Sequence, residues 1–422
     1  MILCVAAASV AHGQSASEEA ESAREQTGGG SDSKASEPGS DDADSEDESL
    51  RVETTAAPFP TSGGESTVDA LELSTASTRT AEDMIERVPG FETVQHGAEG
   101  KGHQFFVRGF DAVHGSDVEV RLEGIPLNEP SNVHGNGYLD LGFVVPETVV
   151  RLEARKGSFD ILQGPFATAG SINFELGVPT WERGTRTLYE VGTTNRHRLA
   201  AIAAPESSGR GTFAAVEAMH DDGFGANRRT RRVSALAQAR LMGDDDVNVT
   251  GLLAAYGADF GLPGTVRLED ISSGELGFYD AYVDETSGSS LRAITSVRLL
   301  ADTDGGEWRA AVWGQGRQLE LDENFTGFLE HPDRGDRRVQ REDSWTLGGR
   351  VRWDARVAPT AEVKSVLEWR SVWADQSEVQ LATTGEAWGT QRSLAFTEQL
   401  GGAGLALDWS PLSWTRLVAG IR

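Results

Sequence analysis

The chain has 422 residues, of which 66 are acidic and 38 basic, and its formal net charge is −28. This excess of negative charge argues against a nucleic-acid partner, because phosphate backbones are bound by clusters of Lys and Arg. Cys4 is the one cysteine of the sequence, which excludes an internal disulfide and a cysteine metal cluster.

The N-terminal segment 1–13 is predicted to be a signal peptide for export. It is an apolar run that ends in Ala11, His12 and Gly13, with small residues at the spacing that signal peptidases prefer. Residues 14–49 are rich in Ser, Glu, Asp and Gly and are almost devoid of apolar side chains. They are predicted to be a disordered acidic linker, because such a segment buries too little surface to offset its ordering entropy.

Residues 50–180 are predicted to form a compact α+β domain. Apolar residues recur at helical spacing from Ala81 to Val88, which indicates a short helix capped by Ser77 or Thr78 and ended by Pro89. Strands are predicted at 91–95, 104–108, 117–123, 149–155 and 171–176. In the third of these, apolar and charged residues alternate strictly, which is typical of a half-buried strand.

Residues 181–422 are predicted to form long antiparallel strands of a membrane β-barrel. From Trp345 to Val357 one face is apolar throughout and the other carries four charged residues. No run of about 18 apolar residues occurs anywhere, so no membrane-spanning helix is predicted. Alternating strands of this length fit a tilted crossing of a bilayer, with one face toward outer-membrane lipid.

The connections between these strands alternate in length, as they do in outer-membrane barrels. Short turns are predicted at 242–246, 301–307, 358–361 and 410–413. Long loops are predicted at 262–290, 321–344 and 377–392. About eleven strands result, and an odd number leaves the sheet open, which lipid does not tolerate. We therefore expect a truncated barrel, or pairing with a second copy.

Five motifs follow one another in the first half of the chain. They are Glu86-Arg87-Val88-Pro89-Gly90, Val107-Arg108-Gly109-Phe110, Leu122-Glu123-Gly124-Ile125-Pro126-Leu127, Arg151-Leu152-Glu153 and Ala167-Thr168-Ala169-Gly170-Ser171-Ile172-Asn173-Phe174. In this order and spacing they resemble the TonB-dependent outer-membrane receptors, over residues 50–422 and most strongly over 80–178. The chain departs from that family at Arg155-Lys156-Gly157-Ser158, where Arg-Gly-Pro is usual, and in its short barrel, since the family closes with twenty-two strands.

The resemblance implies that the α+β domain is a plug folded inside the barrel. The plug-motif residues carried over from the family are Pro89, Gly90, Arg108, Gly109, Gly124, Pro126, Gly157 and Gly170. The strand at 117–123 is then expected to turn its charged face toward a polar, water-lined interior. Glycines 109, 124 and 157 are expected to allow tight turns close to the barrel wall.

Family likeness further implies active import across the outer membrane. A small ligand, most often an iron–siderophore complex, binds at the outer face, and a TonB-type periplasmic energy-transducing protein pulls on an N-terminal TonB box. The best candidate for that box is Val52, Glu53, Thr54, Thr55 and Ala56, which can add as an edge strand to the partner's sheet. An ordinary linker strand is the alternative for this segment.

The segment 128–138 is rich in Gly and Asn and is predicted to be an apical plug loop. Asn132, His134, Asn136 and Tyr138 are its candidate ligand contacts, because loops carry function; the alternative is a plain turn.

Four histidines, His96, His103, His114 and His134, also fall in the plug. Neutral imidazole binds transition metals, but no pair has the short fixed spacing of a structural metal site. We therefore predict exposed loop histidines, no metal site and no cofactor.

Tryptophans recur near strand ends or on the apolar face of the predicted barrel. They are Trp308, Trp313, Trp345, Trp353, Trp369, Trp373, Trp409 and Trp414. An aromatic girdle at the membrane interface explains them better than a carbohydrate-stacking cleft does.

Catalysis has no support, because no Ser/His/Asp arrangement, phosphate-cradling glycine loop or paired-carboxylate motif occurs. The predicted function is thus TonB-energised uptake of a scarce ligand. Two alternatives stay open: a binding-only surface receptor, and a soluble β-sandwich adhesin.

Overall fold

The computed structural model describes residues 6–7, 63–75, 78–95, 97, 100–244, 246–412 and 414–422. The predicted acidic linker, the candidate TonB box and most of the predicted signal peptide lie outside these residues. Of the N-terminal segment, Ala6–Ala7 forms the short strand β1, which pairs with the last strand of the large sheet.

The plug consists of two short α-helices and two small sheets. Its elements are β2 (Glu65–Asp69), α1 (Ala70–Ser74), α2 (Ala81–Ile85), β3 (Phe91–Val94), β4 (Gln104–Val107), β5 (Phe110–Ala112), β6 (Val118–Leu122), β7 (Ile125–Pro126), β8 (Val149–Lys156) and β9 (Gly170–Leu176). One sheet has the order β2-β8-β9-β6-β7 and the other β3-β4-β5. All pairings are antiparallel except β6 with β9. The five predicted plug strands are confirmed to within two residues.

The start of helix α2 differs from the prediction. Thr80 is its N-cap, and the Thr80 hydroxyl accepts a hydrogen bond from the Asp83 backbone N–H at 3.3 Å. Thr78 therefore is not the cap, and Ser77 lies outside the described residues. Thr80 acts as the N-cap because its extended backbone turns the side-chain oxygen toward the first free N–H groups of the helix.

Strand β6 is buried on both faces, whereas the sequence predicted a half-buried strand. Val118, Val120 and Leu122 pack in the hydrophobic core, but Glu119 and Arg121 are also only 1% and 5% exposed. The charged face meets the barrel wall directly and finds ion-pair partners there. This face is therefore more buried than predicted, although Arg121 also lines a polar cavity between plug and wall.

Residues 184–421 form one large antiparallel sheet. Its strands are β10 (Gly184–Val191), β11 (His197–Ala204), β12 (Phe213–Asp221), β13 (Thr230–Gly243), β14 (Val247–Gly261), β15 (Ser287–Thr303), β16 (Gly306–Asn324), β17 (Arg337–Ala358), β18 (Ala361–Leu381), β19 (Ala387–Leu412) and β20 (Thr415–Ile421). They pair in sequence order, which confirms the eleven predicted strands. A β-sandwich requires two packed sheets, so the adhesin alternative is wrong.

The sheet wraps around the plug, since plug residues contact strands from one side of it to the other. Glu147 pairs with Arg198 on β11, and Arg422, which follows β20, donates to the Ile161 carbonyl oxygen at 2.7 Å. The core likewise joins plug residues such as Leu122 to wall residues such as Ile294. Among the described residues, no helix is long and apolar enough to cross a membrane.

Long connections and short turns lie at opposite ends of the strands, as predicted. Two of the long loops are shorter than predicted. The loop predicted at 321–344 spans 325–336, and the loop predicted at 377–392 spans 382–386. The strands continue as polar ribbons, in which Arg341 pairs with Glu320 across β16 and β17 at 2.9 Å. The apolar pattern that predicted the strands ends before these ribbons. Charged pairs across neighbouring strands stabilise the strand pairing there. α3 (Leu268–Ser273) lies in the long β14–β15 loop.

The outward face carries tryptophans at two levels. Trp345 faces Trp373, and Trp308 faces Trp353 across neighbouring strands. From Trp345 to Trp353 strand β17 rises about 27 Å, which after tilting matches the apolar band of an outer-membrane barrel. Trp313 does not belong to the girdle, because it is 1% exposed and packs inward against Gly348.

Two plug glycines are needed for their backbone conformation and not for the close approach of other atoms. Gly109 and Gly124 have φ angles of +79° and +81°, which other residues rarely adopt, yet no atom lies within 4 Å of a Cβ placed on either. The expectation that they pass close to the wall is therefore wrong. Gly170 is the plug-motif glycine at a close approach, since its Cβ would overlap the Arg155 carbonyl oxygen.

The tryptophan levels predict where a charge is least tolerated. Gly349 faces outward midway between Trp345 and Trp353, so Gly349→Arg is expected to cost about 2–4 kcal/mol of folding free energy in lipid. Urea titration in lipid vesicles measures this cost, with Gly349→Ala as the control for loss of the glycine. Asp343→Arg, beyond the girdle on the same face, should change stability by less than about 1 kcal/mol. Equal effects at 343 and 349 would contradict the assigned band.

Candidate functional site

The plug ends in an apex on the side of the long connections. It consists of the 3₁₀ turn Val113–Gly115 and the loop 127–140. His114 has a φ of 50° in the left-handed region, which is uncommon for a residue other than glycine. Since outer-membrane barrels carry longer loops on the outside, this apex lies at the end of the plug that faces outward.

Asn128 holds the apex together. Its side-chain amide donates to the carbonyl oxygens of Gly115 and Val118, both at 2.9 Å, and its Oδ1 accepts from the Val120 N–H at 2.8 Å. Asn128 is 1% exposed, so these bonds are made where water cannot replace them. The 3₁₀ turn, strand β6 and the start of the loop are thereby fixed relative to one another.

Glu129 ties the apex to the barrel wall. Its Oε1 accepts a hydrogen bond from Arg292 on β15 at 2.8 Å and another from Arg317 on β16. Next to it, Asp140 accepts from Ser290 at 3.0 Å, also on β15. Both arginine side chains are almost fully buried, so the carboxylates supply the negative charge that they need there.

Further ion pairs join the body of the plug to the wall. Arg121 contacts Glu119 of its own strand at 2.6 Å and Glu368 of β18 at 3.0 Å, and these carboxylates hold the pKa of Arg121 above its usual range despite burial. On the other side, Arg198 of β11 binds Glu147 of the plug at 2.7 Å. The plug is therefore held by charge pairs on several strands.

His114 and His134 lie together at the apex. Their Nε2 atoms are 3.3 Å apart, and their ring centroids are 4.9 Å apart at an angle of 56°. Tyr138 packs edge-on against His134, with a centroid distance of 5.7 Å. His114 is buried, so the prediction of exposed loop histidines is wrong for this residue. His96 lies outside the described residues.

The wall contributes to the same cluster. The centroids of the His134 and Phe325 rings are 5.5 Å apart. The Lys101 ammonium sits 5.3 Å from the centroid of the Phe325 ring and pairs with Glu323 at 2.7 Å. Burial raises the pKa of Tyr138, whose ring lies under the Arg317 guanidinium, so its hydroxyl stays neutral. The apex thus combines imidazole and aromatic groups, with the Tyr138 phenol buried beneath them.

The four predicted ligand contacts have different environments. Asn132 is buried and donates to Glu129, and Tyr138 is buried and accepts from the Gly102 N–H at 2.7 Å. His134 is half-buried and Asn136 is exposed. His134 and Asn136 are therefore the two predicted contact residues that are accessible at the surface. Asn132 and Tyr138 are buried and stabilise the loop through their hydrogen bonds.

The plug-motif residues form the turns beneath the apex. Arg108 and Gly109 make the β4–β5 turn, and the Arg108 N–H donates to the Gly90 carbonyl oxygen at 2.7 Å. The Pro89 carbonyl accepts from Lys156 at 3.0 Å. Gly124 and Pro126 belong to the β6–β7 hairpin, and Gly157 donates to Ala169 at 2.8 Å beside Gly170. These residues shape the plug beneath the apex.

Sequence reasoning missed Lys101, Glu129, Asp140 and the wall arginines. Their partners on the other part of the molecule lie 150 or more residues away along the chain, as with Asp140 and Ser290. One available signal was the placement of lone charges at inward positions of barrel strands, such as Arg292 and Arg317, because a buried charge requires a partner.

A cavity of about 440 Å³ lies between the plug sheet and the wall, nearer the short turns. Charged side chains line it, among them Arg121, Glu153, Arg298 and Arg350. The molecule therefore has polar space at the end opposite the apex.

Comparison with known proteins identifies the plug directly. Residues 59–171 match the family model of the TonB-dependent Receptor Plug Domain. A segment of 106 residues is 27% identical to the vitamin B12 transporter BtuB of Vibrio vulnificus; it is 25% of this chain and 16% of that protein.

Solved receptor structures share the fold over most of the chain. The unliganded ferric citrate transporter FecA superposes with a TM-score of 0.67 at 15% identity, covering 85% of this chain and 55% of FecA. The ferric yersiniabactin uptake receptor FyuA from Yersinia pestis gives 0.65 at 16% identity, covering 84% and 55%. The chain thus spans about half the length of these receptors.

The Glu129 contacts predict a specific loss of stability. Glu129→Gln removes the charge that faces Arg292 and Arg317, so it is expected to cost about 3 kcal/mol in urea unfolding. The matched control is Glu320→Gln, whose partner Arg341 is about half exposed, and it should cost less than about 1 kcal/mol. Similar losses in both variants would show that the Glu129 carboxylate is not a tie between plug and wall.

Proposed function

We propose that this chain, which belongs to the TonB-dependent receptors of the outer membrane, serves the energised uptake of a small, scarce ligand. The observation that carries this proposal is the folded plug, whose apex faces the long-loop end and is tied to the wall by buried charge pairs. Such a plug closes the passage until it is displaced. A ligand that binds at the apex therefore needs a source of work to pass.

An iron–siderophore complex is the ligand class that we propose first. Two structural neighbours are named for ferric ligands, ferric citrate for FecA and ferric yersiniabactin for FyuA. Aromatic rings such as Phe325, and the half-buried His134 beside it, suit chelates that contain planar groups. Outer-membrane lipid surrounds the strands, and nucleic acid has no part in this function.

The energy source would be a TonB-type periplasmic protein that binds Val52–Ala56. Val52–Ala56 lie outside the described residues, which resume at residue 63, shortly before β2. Strand β2 is an edge strand of the plug sheet and pairs with β8 alone. A pull on the preceding segment would act first on this short ladder, which can open from its edge without breaking the rest of the sheet.

The cavity near the short turns provides the next part of the route. Its charged lining is compatible with a hydrated ligand, and Arg298 and Glu123 pair across it between wall and plug. Displacement of β2 and its neighbours would enlarge this space toward the periplasm. The ligand then leaves on the side where energy is applied.

Binding without transport is the alternative function. A signalling receptor or docking site would use the same apex but would not require an energised partner. The two functions differ in whether residues 52–56 engage the energy transducer.

Proline substitution tests this difference. Val52→Pro with Thr54→Pro removes backbone N–H donors and prevents edge-strand addition. We expect binding of the purified periplasmic domain of the host's TonB-type protein to the detergent-solubilised chain to weaken at least tenfold. Ser33→Pro with Ser36→Pro, in the acidic linker, is the matched control and should bind normally. Unchanged binding by the first variant would overturn the energised function and favour the binding-only receptor.

A further inference from the structure

The loop 325–336 between β16 and β17 brings two carboxylates and an imidazole together. One ligand atom of each of Glu330, His331 and Asp336 lies within 4.8 Å of the ligand atoms of the other two. A tight turn produces this group, because the Gly335 N–H donates to the His331 carbonyl oxygen at 2.8 Å and returns the chain to Glu330. Side chains of these types are the usual protein ligands of divalent metal ions.

Asp336 has an unsatisfied oxygen in a buried position. The residue is 1% exposed, and its Oδ2 accepts hydrogen bonds from the Thr326 hydroxyl at 2.6 Å and from the Glu330 N–H at 2.8 Å. Its Oδ1 is buried and has no hydrogen-bond partner among the described residues. A buried polar atom without a partner is unfavourable, and more so when it carries charge. A bound cation would supply the interaction that Oδ1 lacks.

The other two side chains differ in how firmly they are held. The His331 ring is half-buried and packs edge-on against Trp388 on β19, with ring centroids 4.9 Å apart at an angle of 89°. This contact orients the imidazole. Glu330 is exposed, and its Oε2 pairs with Arg338 at 2.7 Å, which leaves Oε1 for a metal ion. His331 and Asp336 are therefore positioned ligands, and Glu330 is one that can rotate toward them.

We propose that Glu330, His331 and Asp336 bind one divalent transition-metal ion, of the kind that Zn²⁺ represents, as a structural ion of this loop. An imidazole ligand favours such an ion over Ca²⁺ or Mg²⁺, which prefer oxygen ligands alone. Ligand atoms around Zn²⁺ lie about 3.4 Å apart, so a small rotation of the exposed Glu330 side chain completes the site. Three protein ligands leave one position to water. The ion stays with the protein and is not a transported ligand.

Binding of the ion would stabilise an outer surface beside the apex. The Arg334 carbonyl oxygen accepts from the Thr383 N–H at 2.9 Å, and the Arg334 guanidinium lies 4.4 Å from the centroid of the Trp388 ring. The same loop starts with Phe325, whose ring centroid is 5.5 Å from that of His134 on the plug. An ion that holds 330–336 together would therefore stabilise the packing of two wall loops next to the apex. The inference goes beyond the proposed function, because binding requires neither a transported ligand nor an energised partner.

Zinc titration of the full chain tests the site. The chain is purified in detergent without a histidine tag and stripped with chelator, and ZnCl₂ binding is followed by isothermal titration calorimetry. His331→Ala is expected to weaken the tightest site at least tenfold, because it removes the nitrogen ligand. The matched control is His220→Ala, at the outer end of β12, where His220 lies 2.9 Å from Asp222. This control should bind zinc within twofold of the wild type.

Asp336→Asn separates metal binding from the folding of the loop. Asparagine keeps an oxygen that can accept from Thr326 and Glu330 but removes the charge, so zinc affinity is expected to fall at least tenfold. Glu386→Gln, at an exposed carboxylate in the neighbouring loop 382–386, is the matched control and should bind zinc as the wild type does. Excess CaCl₂ should leave the zinc bound. Displacement of zinc by calcium would contradict a site that depends on imidazole.

Hydrogen exchange measures the effect of the ion on the loop directly. Zinc should slow amide exchange within 325–336 at least threefold in the wild type and leave it unchanged in His331→Ala. Exchange in the β11–β12 connection, at 205–212, should not respond to zinc in either protein. Unchanged zinc affinity in both His331→Ala and Asp336→Asn, or zinc binding without slower exchange in 325–336, would overturn the inference.

Discussion

The pairing of buried charges between plug and wall is the constraint on which the rest of the structure depends. Arg121, Arg292 and Arg317 are almost fully buried, and each meets a carboxylate on the facing part of the molecule. A buried charge without a partner is strongly unfavourable, so a plug in another orientation would leave several unpaired. These pairs therefore define one position of the plug and, with it, one position of the apex.

The same pairs are compatible with displacement. Apolar contacts also join plug and wall, but the ion pairs can be replaced by hydration once the interface opens. Strand β2, at the edge of the plug sheet, is the plug element nearest in sequence to residues 52–56, which we propose as the partner-binding segment. The fold therefore gives the plug one defined position, with the apex at one end and the charged cavity at the other.

Local patterns in the sequence were sufficient to predict the elements. The period-2 alternation in β17 and the turn residues around Gly109 and Gly124 each depend on neighbours in the chain, and the structure has the strands and turns where they were expected. The outward tryptophans were identified for the same reason, except Trp313. Its position on the apolar pattern did not reveal that Gly348 opens space for it on the inner side.

Contacts between distant segments could not be predicted in this way. Glu119 and Arg121 looked like a solvated face because their partners, such as Glu368, lie far away in the sequence. The contact between His114 and His134 was not predicted, because the fold of the apex brings together two residues whose spacing in the sequence gives no signal. The apolar pattern predicted loops at the outer ends of β17 and β18. Charged pairs stabilise the strands there, and an apolar pattern does not reveal such pairs.

The most direct test of this account is the side of the membrane on which the apex lies. Asn136 is exposed at the apex, and Asp304 is exposed in the short β15–β16 turn. Each is replaced by Cys in a Cys4→Ser background and probed on intact host cells with a maleimide that cannot cross membranes. The account predicts labelling of Asn136→Cys on intact cells and of Asp304→Cys only after the outer membrane is permeabilised. The opposite pattern, or equal labelling of both, would contradict an apex that receives ligand from outside.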